Sequence, residues 1–130
     1  MRPFFIVLAL FASPVFAQDI GVESVISDQM LDFRSGDVGG AYEHASPPLQ
    51  RFFGSSESFG QMVRQGYPSI WANDGVRFFD LRADGDTMVQ GVEVRDTAGD
   101  LHWFDYRMVR DGAGWRIDGV TPRKAPDLAV

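Results

Sequence analysis

At Gly75 the spacing of apolar residues changes from about 3.6 to about 2, and this switch constrains the fold more than any other feature of the chain. Upstream, Val22, Val25, Ile26, Met30 and Phe33 recur at intervals of three and four, which predicts an amphipathic helix ending near Ser35-Gly36. "VGGAYEHA" predicts a second short helix stopped by Ser46-Pro47-Pro48, and "LQRFFG" adds one more turn. In "SSESFGQMVRQGYPSI", Ser55 or Ser56 can cap a helix whose apolar face is Phe59, Met62 and Val63 and whose end is Gly66. Downstream, Asp84-Gly85, Thr97-Ala98-Gly99 and Asp111-Gly112-Ala113-Gly114 fall at hairpin spacing, so strands are predicted near 76–82, 87–96, 100–110 and 115–121. Helices followed by a four-stranded antiparallel meander make the expected fold α+β, with no internal repeat or linker to divide it.

Alternation sorts the strand side chains by face, and turn length sets the register. A two-residue turn at Asp84-Gly85 places Leu81 opposite Met88 and Phe79 opposite Gln90. A three-residue loop at 97–99 sets Val94 opposite His102, Val92 opposite Phe104, Gln90 opposite Tyr106 and Met88 opposite Met108. A four-residue loop at 111–114 sets Met108 opposite Ile117 and Arg110 opposite Trp115. All three agree on one apolar face carrying Phe79, Leu81, Met88, Val92, Val94, Phe104, Met108, Trp115 and Ile117; a one-residue slip would bury Glu93 and Arg95 instead.

Within that face Gln90, His102 and Tyr106 are polar, and Arg77 and Arg110 stand at strand ends. Gln90, Tyr106, His102 and Arg77 are therefore the candidate lining of a pocket between sheet and helices, against the plainer alternative of a hydrogen-bonded pair in a packed core. The opposite face carries Phe78, Val89, Leu101, Trp103, Val109 and Val120. Trp103, Leu101, Phe78 and Val109 are the candidate interface, and a homodimer is its simplest partner.

The first residues read separately. Met1-Arg2, the run "PFFIVLALFA" and the small Ala17 ahead of Gln18 have the form of a cleavable export signal over 1–17, followed by one domain over 18–121 and a loose tail over 122–130. The apolar run is shorter than the roughly 20 residues that span a bilayer, so the mature chain is expected in the periplasm or beyond, without stable membrane insertion. With no cysteine, disulfides, thiolate catalysis and cysteine-based zinc sites are excluded. Lys and Arg number 12 against 18 Asp and Glu, a net charge of −6; loss of Arg2 leaves 11 against 18, or −7. No basic cluster with interleaved aromatics offsets this, so nucleic acid is not an expected partner.

No catalytic signature stands out. There is no P-loop and no Gly-x-Ser-x-Gly elbow. Glu43 and His44 in "YEHAS" are adjacent rather than spaced as helical ligands, and "ADGDT" and "DTAGD" are shorter than the roughly twelve-residue calcium loop. No metal, cofactor or catalytic residue is therefore assigned. An isomerase or hydratase would depend on His102 and Tyr106, because no carboxylate falls in the middle of the inner face. The leading expectation is a small, largely apolar ligand oriented by Gln90 and Tyr106.

The segments "ISDQMLDFRSGDVGGAYEHASPPLQRFFGS", "FGQMVRQGY" and "YRMVRDGAGWRIDGV" resemble the bacterial family called domain of unknown function 4864, from about Ile20 to Val120. The element order is also similar to that of the nuclear transport factor 2-like superfamily, cone-shaped α+β folds related in architecture to cystatins. This resemblance implies export and a curved meander under a helical lid of Phe33, Tyr42, Phe53 and Tyr67, with Trp115 filling the interior from the sheet and Asp37 serving as a cap. It implies no particular reaction. It also implies a cysteine in many relatives at the position of Val120, so any thiol role there is absent from this chain.

Overall fold

A computed structural model describes Pro3 and residues 14–112 and 114–126. Helices come first: α1 (Pro14–Ser35), α2 (Val38–Glu43), α3 (Pro47–Phe53), α4 (Ser56–Gly66) and α5 (Pro68–Trp71). They pack on a curved antiparallel sheet of β1 (Asn73–Asp84), β2 (Thr87–Asp96), β3 (Leu101–Asp111) and β4 (Gly114–Pro122), in the order β1-β2-β3-β4. Apart from Pro3 and the first residues of α1, the expected leader lies outside the described residues, as do Ala113 and the chain beyond Pro126.

Side chains set the helix starts. Asp37 Oδ1 accepts from the Gly40 amide at 2.9 Å, Ser46 Oγ from Leu49 at 3.4 Å and Ser55 Oγ from Ser58 at 3.1 Å, each satisfying an amide that the first helical turn leaves unpaired. α3 ends at Gly54, whose φ of 79° lies in the left-handed region open to glycine.

The β2–β3 register is the one predicted by the 97–99 loop, from Val94 opposite His102 to Met88 opposite Met108, and Arg110 opposite Trp115 follows in the next hairpin. The β1–β2 hairpin differs. Its turn is Gly85-Asp86, so Asp84 pairs with Thr87 and Leu81 with Gln90. A bulge then sets Phe79 and Asp80 together against Gly91, and Phe78 pairs with Val92. This reverses the expected facing: Phe78 packs inward on the core, and Phe79 turns outward beneath Arg123. Gly91 permits the bulge, because a methyl group there would overlap Asp80 Oδ1 and the Phe79 ring. A second bulge at Asp118, between the Met108–Ile117 and Arg107–Gly119 pairs, turns Val120 inward as well, opposite Tyr106.

The core joins Val22, Ile26, Met30 and Phe33 of α1 to Val92, Val94, Phe104, Met108, Trp115 and Ile117 of the sheet. Phe59 of α4 is the hub of the helical side, 6.0 Å from Phe33, 5.6 Å from Tyr42 and 5.5 Å from Phe53 between ring centres. Beside it, residues 44–46 add to the β4 edge: the Ile117 amide donates to His44 O and the Ser46 amide to Ile117 O, both at 2.8 Å.

Candidate functional site

The edge cover of β4 is incomplete, and a cavity opens there. Beyond Asp118, whose carboxylate accepts from the Ser46 hydroxyl at 2.6 Å, the next contact is the Tyr67 hydroxyl, which donates to Val120 O at 3.0 Å, and Gly119 between them is only half-buried. Behind this gap lies a cavity of about 260 Å³. Tyr106, Ile117, Gly119 and Val120 form its sheet side, and Ala45 and Leu49 border it where residues 44–46 lead into α3. Gln29, Phe33, Phe53, Phe59, Met62 and Val63 wall it from the helices, and Tyr67 and Ile70 complete the lining.

Two polar side chains in this lining are buried. Tyr106 has no exposed surface, and its hydroxyl is the only buried side-chain nitrogen or oxygen without a hydrogen-bond partner among the described residues. Burial, with a smaller contribution from neighbouring Tyr67, pushes its pKa far up, so it remains a proton donor. Gln29 is 4% exposed and is anchored by its Nε2, which donates to Ala41 O at 3.0 Å. Among the described residues no Asp, Glu, His, Lys or Arg lines the cavity, and no group of three or more potential ligands is placed to hold a metal.

Of the predicted pocket residues, only Tyr106 borders this cavity. Gln90 lies opposite Tyr106 as expected and is buried, but its Nε2 is committed to Phe79 O at 3.3 Å, Asp80 O at 3.1 Å and Gly91 O at 2.9 Å. It staples the β1 bulge. His102 stands four residues along β3 from Tyr106, about 13 Å away at strand rise. Its Nε2 is 2.8 Å from Oδ2 of Asp96, the last residue of β2. That hydrogen bond, with those from the Asp100 and Ala98 amides, outweighs desolvation and holds the Asp96 carboxyl below the ordinary range. Arg77 is 86% exposed and faces Glu93, Nε to Oε2 3.8 Å.

The predicted interface is also redistributed. Leu101 is exposed, Trp103 and Val109 are half-buried on the outer face, and Phe78 has left that face for the core. Between Trp103 and Val109 runs a charged row rather than an apolar one: Arg123 reaches Asp105 at 2.9 Å and Asp80 at 3.2 Å, and Arg82 reaches Asp105 at 3.1 Å. Sequence reasoning passed over Gln29, although its spacing carried a signal. It falls three residues after Ile26 and four before Phe33, on the buried stripe of α1.

A helical layer over one face of a curved antiparallel meander, with an apolar cavity between them, defines the class as a cone-like α+β domain. Within that class, the model of the family described as "Domain of unknown function (DUF4864)" matches residues 15–130, and the chain belongs to that family. Comparison with curated proteins finds no match. Among the described residues no helix is long and apolar enough to cross a membrane.

Proposed function

We propose that this protein is an exported, non-catalytic binding domain of the nuclear transport factor 2-like kind, holding one small, largely apolar molecule in the cavity between helices and sheet. The observation that carries the reading is the lining itself: about 260 Å³ walled mainly by aliphatic and aromatic side chains, with tyrosine the only ionisable residue type among the described residues that line it. A cavity of about 150 Å³ already accepts benzene, so a substituted ring has room here. Proton-transfer catalysis needs a base within reach of the substrate, and the histidine that could have served is bonded to Asp96 at a strand end.

Native mass spectrometry of the protein purified from the exporting cell tests this reading. The expected result is a small adduct released on denaturation and an N-terminus at Gln18. Val120→Trp, at the mouth, should keep the fold and lose the adduct. A ligand-free wild type that takes up neither xenon nor benzene would overturn the proposal. The outer face supports a second reading, because Leu101 is 43% exposed beside Trp103, as a homodimer contact would require. Sedimentation velocity checks it: Trp103→Ala should dissociate the dimer, and a wild type that is monomeric at every concentration removes the idea.

A further inference from the structure

We infer that the occupant of the cavity is an uncharged cyclic compound with a carbonyl or hydroxyl oxygen that accepts a hydrogen bond from Tyr106 Oη; this rests on the cavity being a ligand site. Three features of the lining lead to this class. The first is Tyr106, a residue of the cavity's sheet side whose buried hydroxyl is unpaired. A buried hydroxyl without a partner is destabilising, and phenylalanine would fill the same volume without that penalty. Gln90, directly opposite, does not supply a partner: its carboxamide nitrogen serves the bulge carbonyls, and its carboxamide oxygen makes no bond to the hydroxyl. An occupant's oxygen would, once the side chains that cover the hydroxyl in the empty protein move aside.

Charge is the second feature. A carboxylate or phosphate would enter a space where no Lys, Arg or His in the described lining offsets its lost hydration, and an ammonium would meet no Asp or Glu. Both are disfavoured against a neutral molecule. The third is shape: Phe33, Phe53, Phe59 and Tyr67 present ring surfaces from the walls, which suit a flat or cyclic body. Gln29, fixed through its nitrogen to Ala41, leaves its carboxamide oxygen to receive a hydroxyl proton from an occupant that carries one.

The experiment is titration calorimetry of wild type and Tyr106→Phe with three ring probes: acetophenone, its near-isostere ethylbenzene and benzoate, with xenon uptake as a control for the cavity. Wild type is expected to bind acetophenone about fivefold more tightly than ethylbenzene, the value of one added hydrogen bond. In Tyr106→Phe the two neutral probes should bind alike, and benzoate should bind neither protein. Equal affinities in wild type, a preference that survives in Tyr106→Phe, or benzoate as the best ligand would each overturn the inference while leaving the ligand site standing. Failure of every probe together with xenon would remove the site and the inference with it.

Discussion

Gln90 and Tyr106 face each other across β2 and β3, both buried and both polar, yet their polar groups should have opposite effects on stability. Gln90→Leu keeps most of the side-chain volume and removes a donor that serves Phe79 O and Asp80 O across the strand pair. Each lost hydrogen bond is worth about 1 kcal/mol net, and a carbonyl left unsatisfied in the bulge adds to that, so the expected loss is about 2 to 3 kcal/mol. For a domain of this size that lowers Tm by roughly 10 °C. Tyr106→Phe removes a hydroxyl that bonds to nothing in the protein. Its expected effect runs from no change to a gain of about 1 kcal/mol. Urea unfolding of ligand-stripped protein measures both, read as shifts in midpoint at constant m. A Tyr106→Phe variant destabilised as much as Gln90→Leu would show that the hydroxyl is already satisfied in the empty protein, and the reasoning would fail.

Phe59→Ala should destabilise by about 3 to 5 kcal/mol, because the ring packs against Phe33, Tyr42 and Phe53; thermal unfolding checks this, and a loss below about 1 kcal/mol would contradict it. Asp96 ionises more readily in the folded protein than its ordinary value of 3.8. Its contribution is therefore complete above that value and is lost as the pH falls through the lower folded value. Asp96→Asn should flatten the dependence of stability on pH below about pH 4, and an unchanged slope in acid denaturation would count against the His102 contact. Asp118→Ala removes the acceptor of the Ser46 hydroxyl, 2.6 Å away, beside the start of α3. The expected result is a loss of about 1 to 2 kcal/mol and faster amide exchange over 49–53, and unaltered exchange there would separate α3 from this contact.

The hairpin between β2 and β3 was legible because a three-residue loop ending in Gly99, with φ of 88°, leaves one pairing that buries the apolar face. β1 was not. Consecutive Phe78 and Phe79 satisfy an alternating pattern in either facing, and only a bulge decides between them. Gly91, a glycine inside a strand, was the available signal, since such a position often marks a bulge or a close backbone approach. For His102, alternation fixes the face of the sheet and says nothing of position relative to the helices, so a strand-end residue taken by Asp96 looked like a pocket residue. The cavity itself depends on where helices meet the sheet. Periodicity identifies the buried stripe of α1, including Gln29, but not which part of that stripe is left without a packing partner.

The points of attachment account for the position of that space. The helical layer is fastened at the ends and edge of the sheet. Asn73, opening β1, donates to Met30 O at 3.0 Å and Ile70 O at 2.9 Å; residues 44–46 pair with Ile117; Tyr67 reaches Val120. Each flanking strand also carries a bulge held in place by a side chain: the β1 bulge by Gln90, and the β4 bulge by the contact of Asp118 with Ser46. Bulges strengthen local twist and bend the strand that contains them. A sheet bent at its two outer strands, with helices tied along its margins, keeps those helices off the middle of β3, where Tyr106 stands. The cavity is therefore a product of the backbone frame rather than of one missing side chain. That frame leaves the Tyr106 hydroxyl without a protein partner, and under the proposed reading the same geometry would give an occupant both its room and its hydrogen bond.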